Sequence, residues 1–145
     1  MMTTAIIPPL EKSIIIEALP ARVWKALTDP EQIRVYLYGT TAISDWKKGS
    51  LLRFVGEWGG QAYEDKGTIL AFDVDRCFQY SYWSAFSGLP DAPENYMVVT
   101  NTIAPQGPGT LLKVRQEQFA NTTQREHSDH NWDTVLKAIK TLVEA

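Results

Sequence analysis

Cysteine is almost absent from this 145-residue chain. Cys77 is the only one, which excludes an internal disulfide and fits a reducing compartment such as the cytoplasm. Long apolar runs are missing too: the longest are four residues, as in Val35–Tyr38 and Ile69–Phe72, whereas a membrane helix needs ~18 or more. Basic charge is in deficit, with 14 Lys+Arg against 17 Asp+Glu and a formal net charge of −3. Nucleic acid is therefore not an expected partner, because phosphate binding takes a basic stripe. Met1–Pro9 has neither a basic n-region nor a proper h-region, so no signal peptide is expected and the protein is placed in the cytoplasm. No glycine-rich loop follows a strand and opens a helix, which removes nucleotide binding. His127-x-x-His130 has helix-compatible metal spacing but no Cys or acid cluster beside it, so both are read as solvated and no metal or other cofactor is expected.

What remains is an ordinary globular composition, 44% hydrophobic and 21% charged. A domain takes ~100–200 residues, so one is expected, over 10–145, behind a disordered lead-in at 1–9 closed by Pro8-Pro9. A chain of ~150 residues buries roughly 68–70% of its unfolded surface, enough for a core with a cavity in it.

The hydrophobic period changes along the chain. Glu11–Leu19, with Ile14, Ile15 and Ile16, reads as a strand. Pro20–Leu27 places Val23, Trp24 and Leu27 at helical spacing behind a first-turn proline. Asp29-Pro30 repeats the pattern, with Ile33 and Leu37 as the apolar stripe and Gly39 as the stop. Six strands follow: Thr40–Asp45, Leu51–Trp58, Gln61–Phe72, Cys77–Trp83, Tyr96–Ala104 and Thr110–Glu117. Gly59-Gly60 is a hairpin turn with φ > 0, and no connection is long enough for a parallel crossover. At the C-terminus Trp132, Leu136, Ile139 and Val143 recur at 0, +4, +7 and +11, flanked by Val135 and Leu142, an amphipathic helix. Thr123-Gln124-Arg125-Glu126 has capping-box spacing and starts it near Gln124. One long helix over a curved antiparallel sheet is a two-layer α+β domain of order β-α-α-β6-α.

The run Ala21-Arg22-Val23-Trp24-Lys25-Ala26-Leu27-Thr28-Asp29-Pro30 carries a resemblance. With Gly67-Thr68-Ile69-Leu70, Gly109-Thr110-Leu111-Leu112 and the closing Asn131–Leu136 helix segment, the chain resembles proteins similar to the C-terminal domain of the activator of Hsp90 ATPase. These belong to the wider superfamily of START domains, Bet v 1-type allergens and polyketide cyclases. The resemblance runs from about Glu11 to Ala145. Asn131 stands where members often carry glycine, and Val35-Tyr36 where a tryptophan is common. The resemblance implies a helix grip, a bent sheet wrapped around the last helix with a cavity between them. It brings no invariant catalytic motif.

Strand alternation assigns the faces of that sheet. Phe78, Tyr80 and Tyr82 share one face, read as concave. Leu52 and Phe54, then Met97, Val99, Asn101 and Ile103, then Leu112, Val114 and Gln116, join them. Tyr80, Tyr82, Asn101 and Gln116 then point polar atoms at the helix, either as ligand contacts or as packed core groups bonded to backbone. Continuing the helix stripe backwards from Trp132 places Ser128 and Arg125 on it, with Gln124 and Asn131 at its edge and His130 opposite. An inward Arg125 favours a carboxylate or other anionic head group. The same first turn can equally overhang the sheet and meet solvent. Cys77 falls on the convex face, away from any base. Glu57, Glu64 and Asp65 can act as acid and base, but read more simply as a charged hairpin rim. Tyr36, Tyr38, Trp46, Trp83 and Phe86 are read as exposed aromatics, a gate or docking patch if clustered.

Three functions follow in order. The first is a domain holding an apolar or amphipathic small molecule, with Phe54, Phe78, Tyr80, Tyr82, Val99, Asn101, Gln116, Arg125, Ser128 and Trp132 as ligand contacts. The second is a cyclase- or aromatase-like enzyme in the same cavity, with Tyr80, Tyr82, Gln116 and Arg125 moving protons. The third is an Hsp90-type co-chaperone. Hsp90 is the least expected partner, because the namesake's role rests partly on an additional N-terminal domain. The Thr40–Asp45 edge can pair with a second copy into a homodimer, or be protected by Asp45, Lys47 and Lys48.

Overall fold

The computed structural model describes residues 6–145; the first five residues of the expected lead-in lie outside the described residues. Strand β1 (Leu10–Ile16) is followed by helices α1 (Pro20–Thr28) and α2 (Pro30–Tyr36). Six further strands come next: β2 (Thr41–Ser44), β3 (Leu51–Trp58), β4 (Gln61–Asp73), β5 (Cys77–Tyr82), β6 (Met97–Gln106) and β7 (Gly109–Glu117). Helix α3 (Thr122–Glu144) ends the chain. The order is the expected β-α-α-β6-α. All seven strands form one antiparallel sheet, β1-β7-β6-β5-β4-β3-β2, so β1 and β2 are its edges. Helix α3 packs against β1, α1 and α2, giving the two-layer α+β helix grip.

One residue separates the two short helices. Asp29 precedes Pro30, and the proline ring bars the α region to the residue before it. Asp29 is accordingly extended (φ −105°, ψ 116°), and its side chain caps α2 by accepting from the Glu31 N–H at 3.0 Å. Helix α2 stops earlier than the glycine signal suggests. Tyr38 itself enters the left-handed region (φ 51°) ahead of Gly39, and the helix closes at Tyr36. The buried pair is therefore Ile33 and Tyr36, with Leu37 only half-buried. Tyr36 is not the exposed aromatic that its sequence position suggested: its hydroxyl donates to the Ala26 carbonyl, 3.0 Å away, and its ring enters the core.

The sheet bends through its glycines and one bulge. Gly59 and Gly60 (φ 59° and 82°) make the two-residue β3–β4 turn. A register shift between Ile69 and Ala71 bends the 13-residue β4. At Gly67 the strands approach so closely that a Cβ would stand 1.6 Å from the Ser81 carbonyl oxygen. Helix α3 begins two residues before the expected Gln124, at Thr122. Asn121, not Thr123, is the cap: it accepts from the Gln124 N–H at 2.8 Å, while the Gln124 side chain reaches back to the Ala120 N–H at 2.7 Å. Its inward face is Val135, Leu136, Ile139 and Val143, packed on Ile16, Val99, Leu112 and Val114 from the sheet.

Candidate functional site

The bent sheet and α3 do not close on each other along their whole length. Between them lies an open hollow of about 950 Å³. Alternation along β5 aims Phe78, Tyr80 and Tyr82 into it, joined by Phe54 from β3, Met97, Val99 and Asn101 from β6, and Gln116 from β7. Helix α3 supplies Gln124, Ser128, Asn131, Trp132, Val135 and Ile139, one face at helical spacing. The sheet side is a run of aromatic neighbours: Phe78–Tyr80 ring centroids lie 5.1 Å apart, Phe54–Tyr80 6.0 Å and Phe54–Tyr82 6.1 Å.

Most polar groups here are tied to the protein. Gln116 accepts from the Trp132 indole N–H at 2.8 Å and turns its amide nitrogen to the Met97 sulfur at 3.2 Å. Asn101 donates to the Phe78 carbonyl at 3.3 Å. The Tyr82 hydroxyl donates to Asp65 at 2.7 Å. Burial pushes the Tyr36, Tyr80 and Tyr82 phenols well above their ordinary range, and for Tyr82 the adjacent Asp65 carboxylate adds to the rise.

Phe54, Phe78, Tyr80, Tyr82, Val99, Asn101, Gln116, Ser128 and Trp132 all line the hollow. Arg125 does not. Its guanidinium turns to the chain before β1 and donates to the Pro8 and Pro9 carbonyls at 2.9 and 3.0 Å. The apolar stripe points Ser128 inward, but Arg125, one turn earlier, finds backbone acceptors in the segment ahead of β1 instead.

Asp65 is the opposite case. Glu57 is exposed, Glu64 pairs with Arg53 at 2.6 Å, and Lys66 with Asp91 at 2.6 Å, all directed outward. Asp65 does not belong to that rim. It is 8% exposed, borders the hollow, and accepts from the Tyr82 hydroxyl and from the Ala85 N–H, each at 2.7 Å. The period-2 set Tyr63, Asp65, Gly67, Ile69 contains the signal, because the burial of Ile69 fixes the face of all four.

The mouth is apolar. Tyr38, Trp58 and Phe86 are 74%, 72% and 55% exposed and all border it, so two of the five aromatics read as exposed, Tyr38 and Phe86, do border the same hollow. Trp46 and Trp83 are half-buried instead. Tyr63 lies across Gly56, where a Cβ would be 2.4 Å from its hydroxyl oxygen. It bonds Thr40 at 2.6 Å, and its ring lies tilted against that of Phe86 with centroids 5.2 Å apart. His127 borders the hollow and is exposed, as is His130; among the described residues no three His, Cys, Asp or Glu side chains come together as a metal site. Burial and nearby Asp73 push the Cys77 thiol up, away from nucleophilic use. Among the described residues no helix is long and apolar enough to cross a membrane.

The family model described as activator of Hsp90 ATPase homolog 1-like protein matches residues 17–144. The chain belongs to this family. Among solved structures of similar proteins, ChR145 from Cytophaga hutchinsonii is 42% identical, with 97% of each chain covered and a TM-score of 0.83. CV1439 from Chromobacterium violaceum is 25% identical over 94% of this chain and 97% of its own, with a TM-score of 0.77. The Aha1 dimer from Colwellia psychrerythraea shares the fold at 14% identity, covering 95% of this chain and 97% of its own, TM-score 0.76. No protein of curated function matches the chain. The family run Val23-Trp24-x-Ala26-Leu27 is core: all four named residues are buried, with the Trp24 ring edge-on to Phe72 at 5.0 Å.

Proposed function

We propose that residues 10–145 act as one domain that holds an apolar or amphipathic small molecule between the curved sheet and α3. The observation that carries this reading is the hollow of about 950 Å³, walled by Phe54, Phe78, Tyr80 and Tyr82 on one side and by Ser128, Trp132 and Val135 on the other. Small-molecule sites are typically concave, ~300–1,000 Å³, mostly apolar and finished by a few polar groups. Asn101 and Gln116 spend their hydrogen bonds on the protein. Those bonds leave less polar surface on the wall for an apolar ligand to desolvate. The exposed Tyr38, Trp58 and Phe86 give a ligand an apolar way in. The lone Cys77 supports a cytoplasmic site of action.

Nile red, a neutral fluorophore that brightens in apolar surroundings, tests the reading. Saturable binding of one dye per chain is expected. Ser128→Trp, which fills the helix side of the hollow, should abolish it while the urea midpoint stays put. No saturable binding, or binding that ignores the substitution, would contradict the reading.

A further inference from the structure

The lining of the hollow has a charge sign. Among the described residues Asp65 is its one acidic side chain, no Lys or Arg borders it, and His127 at the mouth is its one imidazole. The charged neighbours of Asp65 in sequence both have counter-charges, Glu64 the Arg53 guanidinium and Lys66 the Asp91 carboxylate. Asp65 has none within 4 Å among the described residues. Its oxygens accept one hydrogen bond each, from the neutral Tyr82 hydroxyl and the Ala85 N–H. An ionised carboxylate offers about four acceptor positions, so half its capacity is unused. A carboxylate that is 92% shielded, from its 8% exposure, is costly to hold without a counter-charge.

We infer that the molecule held in the hollow carries a protonated amine, and that Asp65 receives it. This rests on the small-molecule reading above and names the head group of the ligand. The surroundings of Asp65 suit a cation. Phe54 stands directly across from it in the β3–β4 register. Tyr82 is hydrogen-bonded to it, Tyr63 lies two residues earlier on the same face, and Phe86 follows Ala85 and packs at a tilt against Tyr63. Ring faces carry negative potential and attract ammonium groups, most strongly away from water. The same lining disfavours a fatty carboxylate, which would meet Asp65 as a like charge and find no cation. Arg125, whose place on the helix stripe pointed to an anionic head group, is engaged by Pro8 and Pro9 instead.

Isothermal titration with three ten-carbon probes below their micellar concentrations separates the possibilities: decylamine, decanol and decanoate, each with the wild-type chain and with Asp65→Asn. Decylamine should bind at least tenfold tighter than either of the others. Asp65→Asn should erase that preference while leaving decanol within threefold of its wild-type affinity. Decanoate binding as tightly as decylamine, or an amine preference that survives Asp65→Asn, would overturn the inference. Decanol bound with no gain for the amine removes the head group and leaves the small-molecule reading standing. Failure of all three probes removes both. The wild-type ranking decides the matter even where the variant does not fold.

Discussion

The indole N–H of Trp132 on α3 donates to the Gln116 side-chain oxygen on β7 across 2.8 Å, and this bond ties the last helix to the sheet along the wall of the hollow. Gln116 is 4% exposed, so its oxygen has little access to water. Trp132→Phe keeps an aromatic ring but removes the donor. Leaving a buried acceptor unpaired costs about 1–3 kcal/mol, and urea unfolding should show a loss in that range. Trp132→Phe with wild-type stability would mean that the bond contributes nothing.

Gly67 sets how closely β4 and β5 can run. A Cβ there would stand 1.6 Å from the Ser81 carbonyl oxygen, a backbone atom that cannot swing aside. Ser81 precedes Tyr82, and Gly67 follows Asp65 by two. The close approach therefore also brings the Tyr82 hydroxyl to Asp65. Gly67→Ala should cost more than about 3 kcal/mol, in the range of severe overpacking, or prevent folding. Gly59→Ala has open space around it and should cost only about 1–2 kcal/mol, for the left-handed backbone alone. Thermal unfolding of the two variants side by side checks the contrast.

Lys12 on β1 sits between Asp129 and Asp133 of α3, 2.6 Å from the Asp133 carboxylate. Its hydrogen bond holds the Asp133 carboxyl below its ordinary value of 3.8. A depressed carboxylate stabilises the fold above that value and loses its contribution as pH falls through the lower, folded-state value. Hydrogen bonds to Asp129 and Asp133 raise Lys12 above 10.5, so the lysine's own contribution is full below 10.5 and lost as pH rises through its folded value. Lys12→Met should therefore lower the melting temperature at neutral pH and converge with wild type under strong acid. A difference that stays constant down to acid pH would contradict this.

Arg125 anchors the chain ahead of β1 rather than a ligand. Arg125→Ala should speed amide exchange at Leu10, Glu11 and Lys12, the first N–H groups after the two prolines, and leave Nile red affinity unchanged. A large loss of dye affinity would return Arg125 to the hollow.

Sequence periodicity was a good guide wherever one face of an element is apolar throughout. The inward sets on β3, β5, β6 and β7 were all legible, since a one-residue slip would expose Phe54, Phe78, Val99 or Leu112. Breaks in that rule hid the rest. Asp65 is a carboxylate on a buried face, and its sequence neighbours Glu64 and Lys66 made it look like part of a solvated rim. Arg125 lies on the extended helix stripe, but its side chain is long enough to leave that face for the Pro8 and Pro9 carbonyls ahead of β1. Tyr36 carries a hydroxyl at a helix end, which reads as exposed until the Ala26 carbonyl is found to receive it. The cap of α3 moved to Asn121 because Thr123-x-x-Glu126 and Asn121-x-x-Gln124 have the same spacing, and only the backbone distinguishes them.

The Trp132 indole resonance gives the most direct view of the hollow. It should move in a saturable way when decanol is titrated into ¹⁵N-labelled protein. The Trp83 indole, which donates to the Leu89 carbonyl and does not border the hollow, should stay in place. No saturable movement, or movement at Trp83 without Trp132, would contradict a ligand held between the sheet and α3.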